Sequence, residues 1–237
     1  MFLVLLIFTS CDSDNPCFGK SGEHKFKTMQ LSSFNEIDIP KGFTVEIIES
    51  TESKIEINSY ENYLPNLDFK VSNNVLIMTN EMSCSLLHTY EIAKVRIYTP
   101  TLKSIKSRTQ LKVSSVGVLT FPELFIITSV EDGASSYFDL NISNEVLKIE
   151  DNQIGFFMIS GKTNWFDVSL FGGNGRVEAQ DFKAFDCSIF HRSSNDVFLH
   201  VENKLSGTIY TTGNLYLYSK PNEVDVKEIY KGKLIYK

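Results

Sequence analysis

The chain has 237 residues, of which 42% are hydrophobic and 22% are charged. This is the composition of an ordinary globular protein and excludes a wholly disordered chain. Acidic residues outnumber basic ones by 29 to 23, for a formal net charge of −6, which disfavours nonspecific binding to nucleic acid. No apolar run reaches the roughly 18 residues that a membrane-spanning helix needs, so a polytopic membrane protein is also excluded.

The first eleven residues, MFLVLLIFTSC, form a short apolar stretch that ends in two small residues and a cysteine. The stretch resembles the lipobox of bacterial lipoproteins, although Phe8 replaces the more usual leucine; the alternative is a buried first strand. No Lys or Arg precedes it, which indicates a true start upstream of Met1. The resemblance implies a signal peptide over 1–11 with lipidation at Cys11, a membrane tether over 12–30 and a domain over 31–237. The expected location is the cell envelope, on the outer membrane of a Gram-negative bacterium.

Three further cysteines, Cys17, Cys84 and Cys187, are widely spaced. A disulfide between Cys17 and Cys84 is one alternative for this odd number of thiols. Cys187 lies in an alternating apolar run and is expected to be a small core residue. No pair of cysteines or Cys/His cluster has zinc-site spacing, so neither a metal nor a cofactor is expected.

From residue 34 onward the apolar residues alternate with polar ones in short runs, which predicts β-strands. No amphipathic helix longer than two turns is present, and 59–67 holds one short helical turn at most. The runs in the first half are FTVEI (43–47), IEI (55–57), FKV (69–71), VLI (75–77) and VRIY (95–98). The chain is therefore predicted to be all-β.

The second half repeats itself every 19 to 23 residues. Apolar runs begin at Leu124, Leu147, Phe166, Phe185 and Leu205, and each run aligns with the next. Each of the later runs is followed by a second apolar run about ten residues further along the chain. Turn-forming residues such as 172–175, 193–196 and 212–214 separate the two runs. This regularity predicts a right-handed parallel β-solenoid with coils of about 20 residues, and an N-terminal β region that either continues or caps it.

Alternation assigns side chains to the inside of these coils. The expected inward columns are Leu147, Phe166, Phe185 and Leu205; Leu170, Ile189 and Ile209; and Val177, Val197 and Leu215. Cys187 is expected inside, between Val168 and Gly207.

Several motifs together resemble the head GIN domain family, a group of bacterial lipoproteins that are described as auto-transporter adhesin heads. They are FNEIDI (34–39), GFTVEI (42–47), NNVLI (73–77), VRIYTPTL (95–102), GNLYLYSKP (213–221) and KGKLI (231–235). The resemblance spans about 34–235 and implies a β-solenoid on the cell envelope. It brings no known catalytic residues.

Two features of the outward face suggest function. Asp167 and Asp186 are expected at equivalent positions on successive coils, with carboxylates about 5–6 Å apart, a spacing also found in retaining glycosidases. The alternative is a pair of solvated carboxylates relieved by Lys148. Exposed aromatics are expected in two columns, which would bind sugar rings or a protein, or would only stiffen the coils. They are Phe171, Phe190 and Tyr210, and Phe157, Phe198 and Tyr216.

These observations lead to one main hypothesis and two alternatives. The main one is a noncatalytic, lipid-anchored adhesion or binding module whose partner is a glycan or an envelope protein. The first alternative is a polysaccharide-active enzyme that uses Asp167 and Asp186. The second is a purely structural module that assembles edge to edge through unpaired terminal strands.

Overall fold

The computed structural model describes residues 22–81, 91–128, 135–152 and 154–237. Cys11 and the cysteines of the suggested Cys17–Cys84 disulfide lie outside these ranges. Within them, the regular structure consists of 17 strands and one 3₁₀ turn, Leu64–Asn66. The all-β prediction is confirmed.

The strands of the N-terminal half are β1 (His24–Gln30), β2 (Glu36–Ile39), β3 (Phe43–Glu49), β4 (Lys54–Tyr60), β5 (Leu67–Ser72), β6 (Val75–Asn80), β7 (Ala93–Thr99), β8 (Ser104–Ser107) and β9 (Lys112–Ser115). Those of the C-terminal half are β10 (Glu123–Thr128), β11 (Tyr137–Asp151), β12 (Phe156–Leu170), β13 (Arg176–His191), β14 (Val197–Ile209), β15 (Leu215–Leu217), β16 (Glu223–Glu228) and β17 (Leu234–Tyr236). β1 lies within the residues predicted as the tether, so the sheet begins before residue 31.

The strands form the predicted β-solenoid. Parallel pairing joins β8, β10 and the C-terminal halves of β11 to β14 into one ladder that ends at β16, which we call sheet A. It also joins β9 and the N-terminal halves of β11 to β14 into a second ladder that ends at β15 and β17, which we call sheet B. Each long strand therefore crosses from sheet B to sheet A at a corner near its middle.

The N-terminal region both continues and caps the solenoid. β2 pairs with β6 and β8, and β3 pairs with β7 and β9, all in parallel, so these strands add coils to the stack. β5 then pairs with β6, β4 pairs with β7, and β1 pairs with β4, all in antiparallel orientation. The coil that comes first in the sequence thus lies inside the stack rather than at its end.

The core consists of apolar side chains stacked in register between the two sheets. One predicted column is confirmed: Val177, Val197 and Leu215 are paired in that order and fully buried. Leu124, Leu147 and Phe166 also follow one another inside. Burial of each such side chain contributes roughly 1.5–3 kcal/mol, so the columns supply much of the stability.

The other two predicted columns are wrong at β13, because this strand contains irregularities in register. Phe166 pairs with Cys187 rather than with Phe185, and Cys187 pairs with Leu205. Cys187 is buried as predicted, but between these two residues instead of Val168 and Gly207. The predicted column Leu170, Ile189 and Ile209 is also shifted, since His191 stands between Leu170 and Ile209.

The register of β12 against β13 explains the error: it shifts between Met158 and Gly161, whose partners are Glu178 and Phe182, so β13 has one more residue than β12 before the corner. Phe185, which is 50% exposed, then lies at the corner and faces outward, opposite the exposed Asn164 of β12. Phe182 fills the core instead, with its ring edge-on to Phe166 at 5.1 Å between centroids.

The turns that lead from sheet A back to sheet B also stack on one another. Ser193 Oγ donates a hydrogen bond to the Gly175 carbonyl oxygen at 2.5 Å, and Asn195 Nδ2 donates one to the Asn174 carbonyl oxygen at 2.7 Å. In the next turn, a Cβ at Gly213 would lie 2.1 Å from the Asn195 carbonyl oxygen. The turn formers noted in the sequence therefore make a hydrogen-bonded edge along the solenoid.

Candidate functional site

Three aromatic rings form a continuous ladder beside this stack of turns. Phe190 belongs to β13, while Phe171 and Tyr210 directly follow β12 and β14. The ring centroid of Phe190 lies 5.4 Å from that of Phe171 and 5.1 Å from that of Tyr210. Phe171 and Tyr210 are 41% and 44% exposed. The ladder runs across three successive coils, and its outer rings are open to solvent. The three rings do not share one column as predicted: Phe190 pairs with Ser169 and Thr208, two residues before the level of Phe171 and Tyr210, so its ring contacts theirs diagonally.

The ladder continues toward the C-terminal end of the solenoid. Ile209 pairs with Glu228, so Tyr210 and Ile229 occupy successive positions one residue further on. Ile229 is 61% exposed. Together, Phe171, Phe190, Tyr210 and Ile229 make an apolar strip along one edge of the molecule, which we call the aromatic strip.

The second predicted aromatic column is correct for two of its three members. Phe198 and Tyr216 stack face to face, with centroids 5.0 Å apart and ring planes at 11°. Arg176 and Lys237 lie over these rings, at 4.5 Å from the Phe198 centroid and 4.7 Å from the Tyr216 centroid. Both rings are only half-buried and are partly covered by cations, which leaves less free apolar surface than on the aromatic strip.

The predicted outward position of Phe157, the third member of this column, is wrong. Its side chain is fully buried and stacks on Phe138, with centroids 5.2 Å apart. Phe157 pairs with Val177 in the inward column, and Met158 takes the outward position in line with Glu178 and Phe198. The sequence has two adjacent phenylalanines here, and alternation alone does not say which of them faces inward.

The expected stacking of Asp167 over Asp186 is also wrong. Asp167 pairs with Ser188, whereas Asp186 pairs with Trp165 on one side and Lys204 on the other. Lys148 does lie next to Asp167, as expected.

Each carboxylate has its own hydrogen-bond donors. Ser188 Oγ and Ser169 Oγ donate to Asp167 at 2.7 and 3.2 Å, and Asn203 Nδ2 donates to Asp186 at 2.7 Å. These contacts hold the two side chains as parts of separate polar networks. Nothing in this geometry supports a catalytic pair.

The Cys187 thiol is buried, and burial raises its pKa well above the ordinary value, so the reactive thiolate is strongly disfavoured. Within the described ranges, no three His, Cys, Asp or Glu side chains come together in a way that could hold a metal ion. The same part of the chain contains no helix long and apolar enough to cross a bilayer.

Sequence reasoning missed a cleft at the opposite edge of sheet A. It lies at the corner where β11 to β14 pass from sheet B to sheet A, has a volume of about 410 Å³, and includes the exposed ring of Phe185. Its other lining residues include Lys162, Lys183 and Asn164. The only sequence signal for this cleft was Phe185, which the constant spacing wrongly predicted to face inward.

The fold is shared with several bacterial proteins of known structure. A putative adhesin from Bacteroides fragilis is 16% identical, with a TM-score of 0.79 over 91% of this chain and 97% of that one. A putative adhesin from Parabacteroides merdae is 21% identical, with a TM-score of 0.61 over 91% and 97%. A putative lipid binding protein from Parabacteroides distasonis is 14% identical, with a TM-score of 0.59 over 90% and 97%. At these identities the likeness concerns the fold.

No curated protein matches the chain. The family model described as "Putative auto-transporter adhesin, head GIN domain" matches residues 33–221. This range includes the long strands, the aromatic strip up to Tyr210 and the corner cleft. The chain therefore belongs to the head GIN domain family.

Proposed function

We propose that this protein is a noncatalytic adhesion module of the cell envelope, held at the membrane by a lipid on Cys11, which binds a glycan or an envelope protein through the aromatic strip. Membership of an adhesin family supports a role in binding at the cell surface. The observation that carries the proposal is the ladder of Phe171, Phe190 and Tyr210, in which Phe190 contacts both other rings and the two outer rings are open to solvent.

The energetics favour a binding role for these rings. Aromatic pairs contribute about 0.5–1.5 kcal/mol beyond their burial, so ring stacking gives some stability to the coils. Stability alone does not require the outer faces to remain exposed, and the inward pair Phe138 and Phe157 obtains the same stacking while fully buried. Rigid aromatic rings on a regular sheet present contact area at little entropic cost, as binding surfaces do.

The test compares wild type with a triple variant, Phe171→Ser, Phe190→Ser and Tyr210→Ser. Both proteins are screened against a glycan array and against immobilised envelope proteins, and each hit is measured by calorimetry. Because the aromatic rings supply the contact area, we expect at least a tenfold loss of affinity, which is about 1.4 kcal/mol. Phe26→Ser serves as the matched control, since Phe26 is an exposed phenylalanine on β1, outside the strip.

Circular dichroism and melting curves establish whether the triple variant remains folded. A folded triple variant that binds every hit as tightly as wild type would contradict the proposal, and would assign the ladder a purely structural role.

A further inference from the structure

The corner cleft has properties that the aromatic strip lacks. It lies at the start of the sheet A segments of β11 to β14, whereas the aromatic strip lies at their end. Six residues of extended strand separate the two edges, which is about 20 Å. A volume of about 410 Å³ is within the range of small-molecule sites. The cleft is therefore a separate candidate for ligand binding.

Two lysines lie side by side in this cleft. Lys162 of β12 pairs in register with Lys183 of β13, so their backbones are about 4.8 Å apart. Like charges at directly opposed positions of neighbouring strands are destabilising. Other lysines on the sheet faces have carboxylate partners, such as Lys112 with Asp139 at 2.6 Å and Lys204 with Glu223 at 2.7 Å. In the described part of the chain, Lys162 and Lys183 form no ion pair.

Among the described residues, the nearby acidic side chains form no ion pair with the two lysines. Glu145 and Glu202 line the same cleft, but the Glu145 carboxylate accepts a hydrogen bond from Asn164 Nδ2. Neither carboxylate lies within ion-pair distance of the lysine ammonium groups in the described structure. The paired cations are thus left available for an anionic group from outside the protein.

An apolar surface adjoins the cations. Phe185 lies at the corner of β13 and faces outward into the cleft, where it is 50% exposed, although phenylalanine is normally buried. Asn144, Thr163 and Asn164 add amide and hydroxyl groups along the same wall. The cleft therefore combines positive charge, one exposed ring and several hydrogen-bonding groups.

We propose that the corner cleft binds an acidic saccharide. Its carboxylate or sulfate group would lie between Lys162 and Lys183, the apolar face of its ring would pack on Phe185, and its hydroxyl groups would bond to the amide side chains. A neutral sugar would leave the two lysines uncompensated, and a small inorganic anion would make no use of Phe185. This inference deepens the proposed function by naming a ligand class, but it concerns a site separate from the aromatic strip.

The test measures binding of three probes by calorimetry in low salt: an oligogalacturonate, a heparin-derived tetrasaccharide and sialyllactose. Neutral cellotriose and lactose serve as uncharged comparisons. We expect at least one acidic probe to bind and the neutral ones to bind at least tenfold more weakly. Addition of NaCl should weaken the binding, because exposed charges are screened within about 8–10 Å at physiological ionic strength.

Variants locate the site. The double variant Lys162→Gln, Lys183→Gln and the single variant Phe185→Ser should each reduce the affinity for the acidic probe at least tenfold. Lys227→Gln, which changes the charge of an exposed lysine on β16, should leave the affinity unchanged. The triple variant of the aromatic strip should also bind the probe normally, so failure at one site is distinguishable from failure at the other.

Three outcomes would overturn the inference. They are the absence of binding by all three acidic probes at millimolar concentration, unchanged binding by the double lysine variant, and unchanged binding by Phe185→Ser together with equal affinity for inorganic sulfate. The last result would identify a simple anion site rather than a saccharide site.

Discussion

At the scale of single residues, His191 is the most unusual member of the core. It lies in an inward column between Leu170 and Ile209, and its side chain is fully buried. Burial lowers the pKa of His191 to about 4, although the backbone of Gly213 and the carboxylate of Asp196 favour the charged form. The imidazole is therefore neutral in the folded protein at neutral pH.

This burial makes folding sensitive to acid. In the unfolded chain His191 has a pKa of about 6.5, so as the pH falls the unfolded state binds a proton before the folded state does. The contribution of the neutral His191 to the free energy of unfolding is complete above about pH 6.5. It is lost progressively as the pH falls toward 4, by about 3 kcal/mol in total. We expect His191→Leu to remove this part of the pH dependence when the free energy of unfolding is measured in urea from pH 7.5 to pH 4.

His200→Gln provides the control, because it removes a partly exposed histidine of β14 and leaves His191 in place. The control should lose stability on acidification as wild type does. An equal loss of stability in His191→Leu would mean that other groups cause the acid sensitivity.

At the scale of strands, glycines mark the places where neighbouring coils approach most closely. Gly207 of β14 has φ +144°, and a Cβ there would lie 2.0 Å from the Ile189 carbonyl oxygen. Gly172, in a turn, has open space where a Cβ would be added, with no atom within 4 Å, and it does not have a positive φ. A glycine inside a strand pattern is a sequence signal for such close approach.

We therefore expect Gly207→Ala to destabilise the protein by about 2–3 kcal/mol, because the added methyl group must displace the neighbouring strand. Gly172→Ala should change the free energy of unfolding by no more than about 0.5 kcal/mol. Urea denaturation of both variants checks this difference. Equal stabilities would show that β13 and β14 can separate here without loss of packing.

Strands also show how far the sequence could predict the fold. Constant spacing and alternation predicted the coils and the column of Val177, Val197 and Leu215. These three residues lie at the starts of their strands, before the irregularities in register. Prediction failed in β13, since the extra residue between Glu178 and Phe182 displaces every later pairing with β12. Asp186 was misplaced for the same reason.

The candidate sites were predictable to different degrees. Phe171, Phe190 and Tyr210 lie at the ends of successive strands, directly before the turns, so counting along the sequence brought them to the same edge. It placed them in one column, whereas Phe190 is two residues out of line with Phe171 and Tyr210. The corner cleft depends on the irregular register of β13. Its lysines are also ordinary polar residues in the pattern, and only the pairing of the strands shows that Lys162 and Lys183 are neighbours.

At the scale of the whole molecule, the length of the solenoid places the aromatic strip far from the N-terminal end of the stack. β1 is the edge strand of the stack at the N-terminal end, and the aromatic strip begins six strands away, at β12. With about 4.8 Å between neighbouring strands, the strip lies roughly 30–40 Å from that end. A chain held through Cys11 would therefore expose its binding edge away from the lipid surface.

The anchor can be tested in cells. We expect Cys11→Ser to move the protein from the membrane fraction to the soluble fraction, because the acyl chains would be absent. Cys187→Ser is the matched control, since it changes a buried core thiol and leaves Cys11 intact. Fractionation followed by immunoblotting gives the readout, and metabolic labelling with a palmitate analogue reports the lipid directly. A membrane-bound, unlabelled wild-type protein would contradict lipid anchoring at Cys11.

The terminal strands bear on the alternative of edge-to-edge assembly. β1 carries Lys25 and Lys27, and Lys233 and Lys237 flank β17 at the other end of sheet B. Lys25 and Lys233 form ion pairs with Glu23 and Glu228, so both edges carry charged side chains that end-to-end joining would have to desolvate. Charges on edge strands are a common protection against such pairing.

The out-of-order position of the first coil has a consequence for how the chain acquires its structure. β2 and β3 need β6 and β7 on one side and β8 and β9 on the other. About 115 residues must accordingly emerge before this nucleus is enclosed, which is a slow, nonlocal step by the relation between contact order and folding rate. We therefore expect the later coils to pair onto the N-terminal half once it has formed, so that this half is the template for the rest of the solenoid.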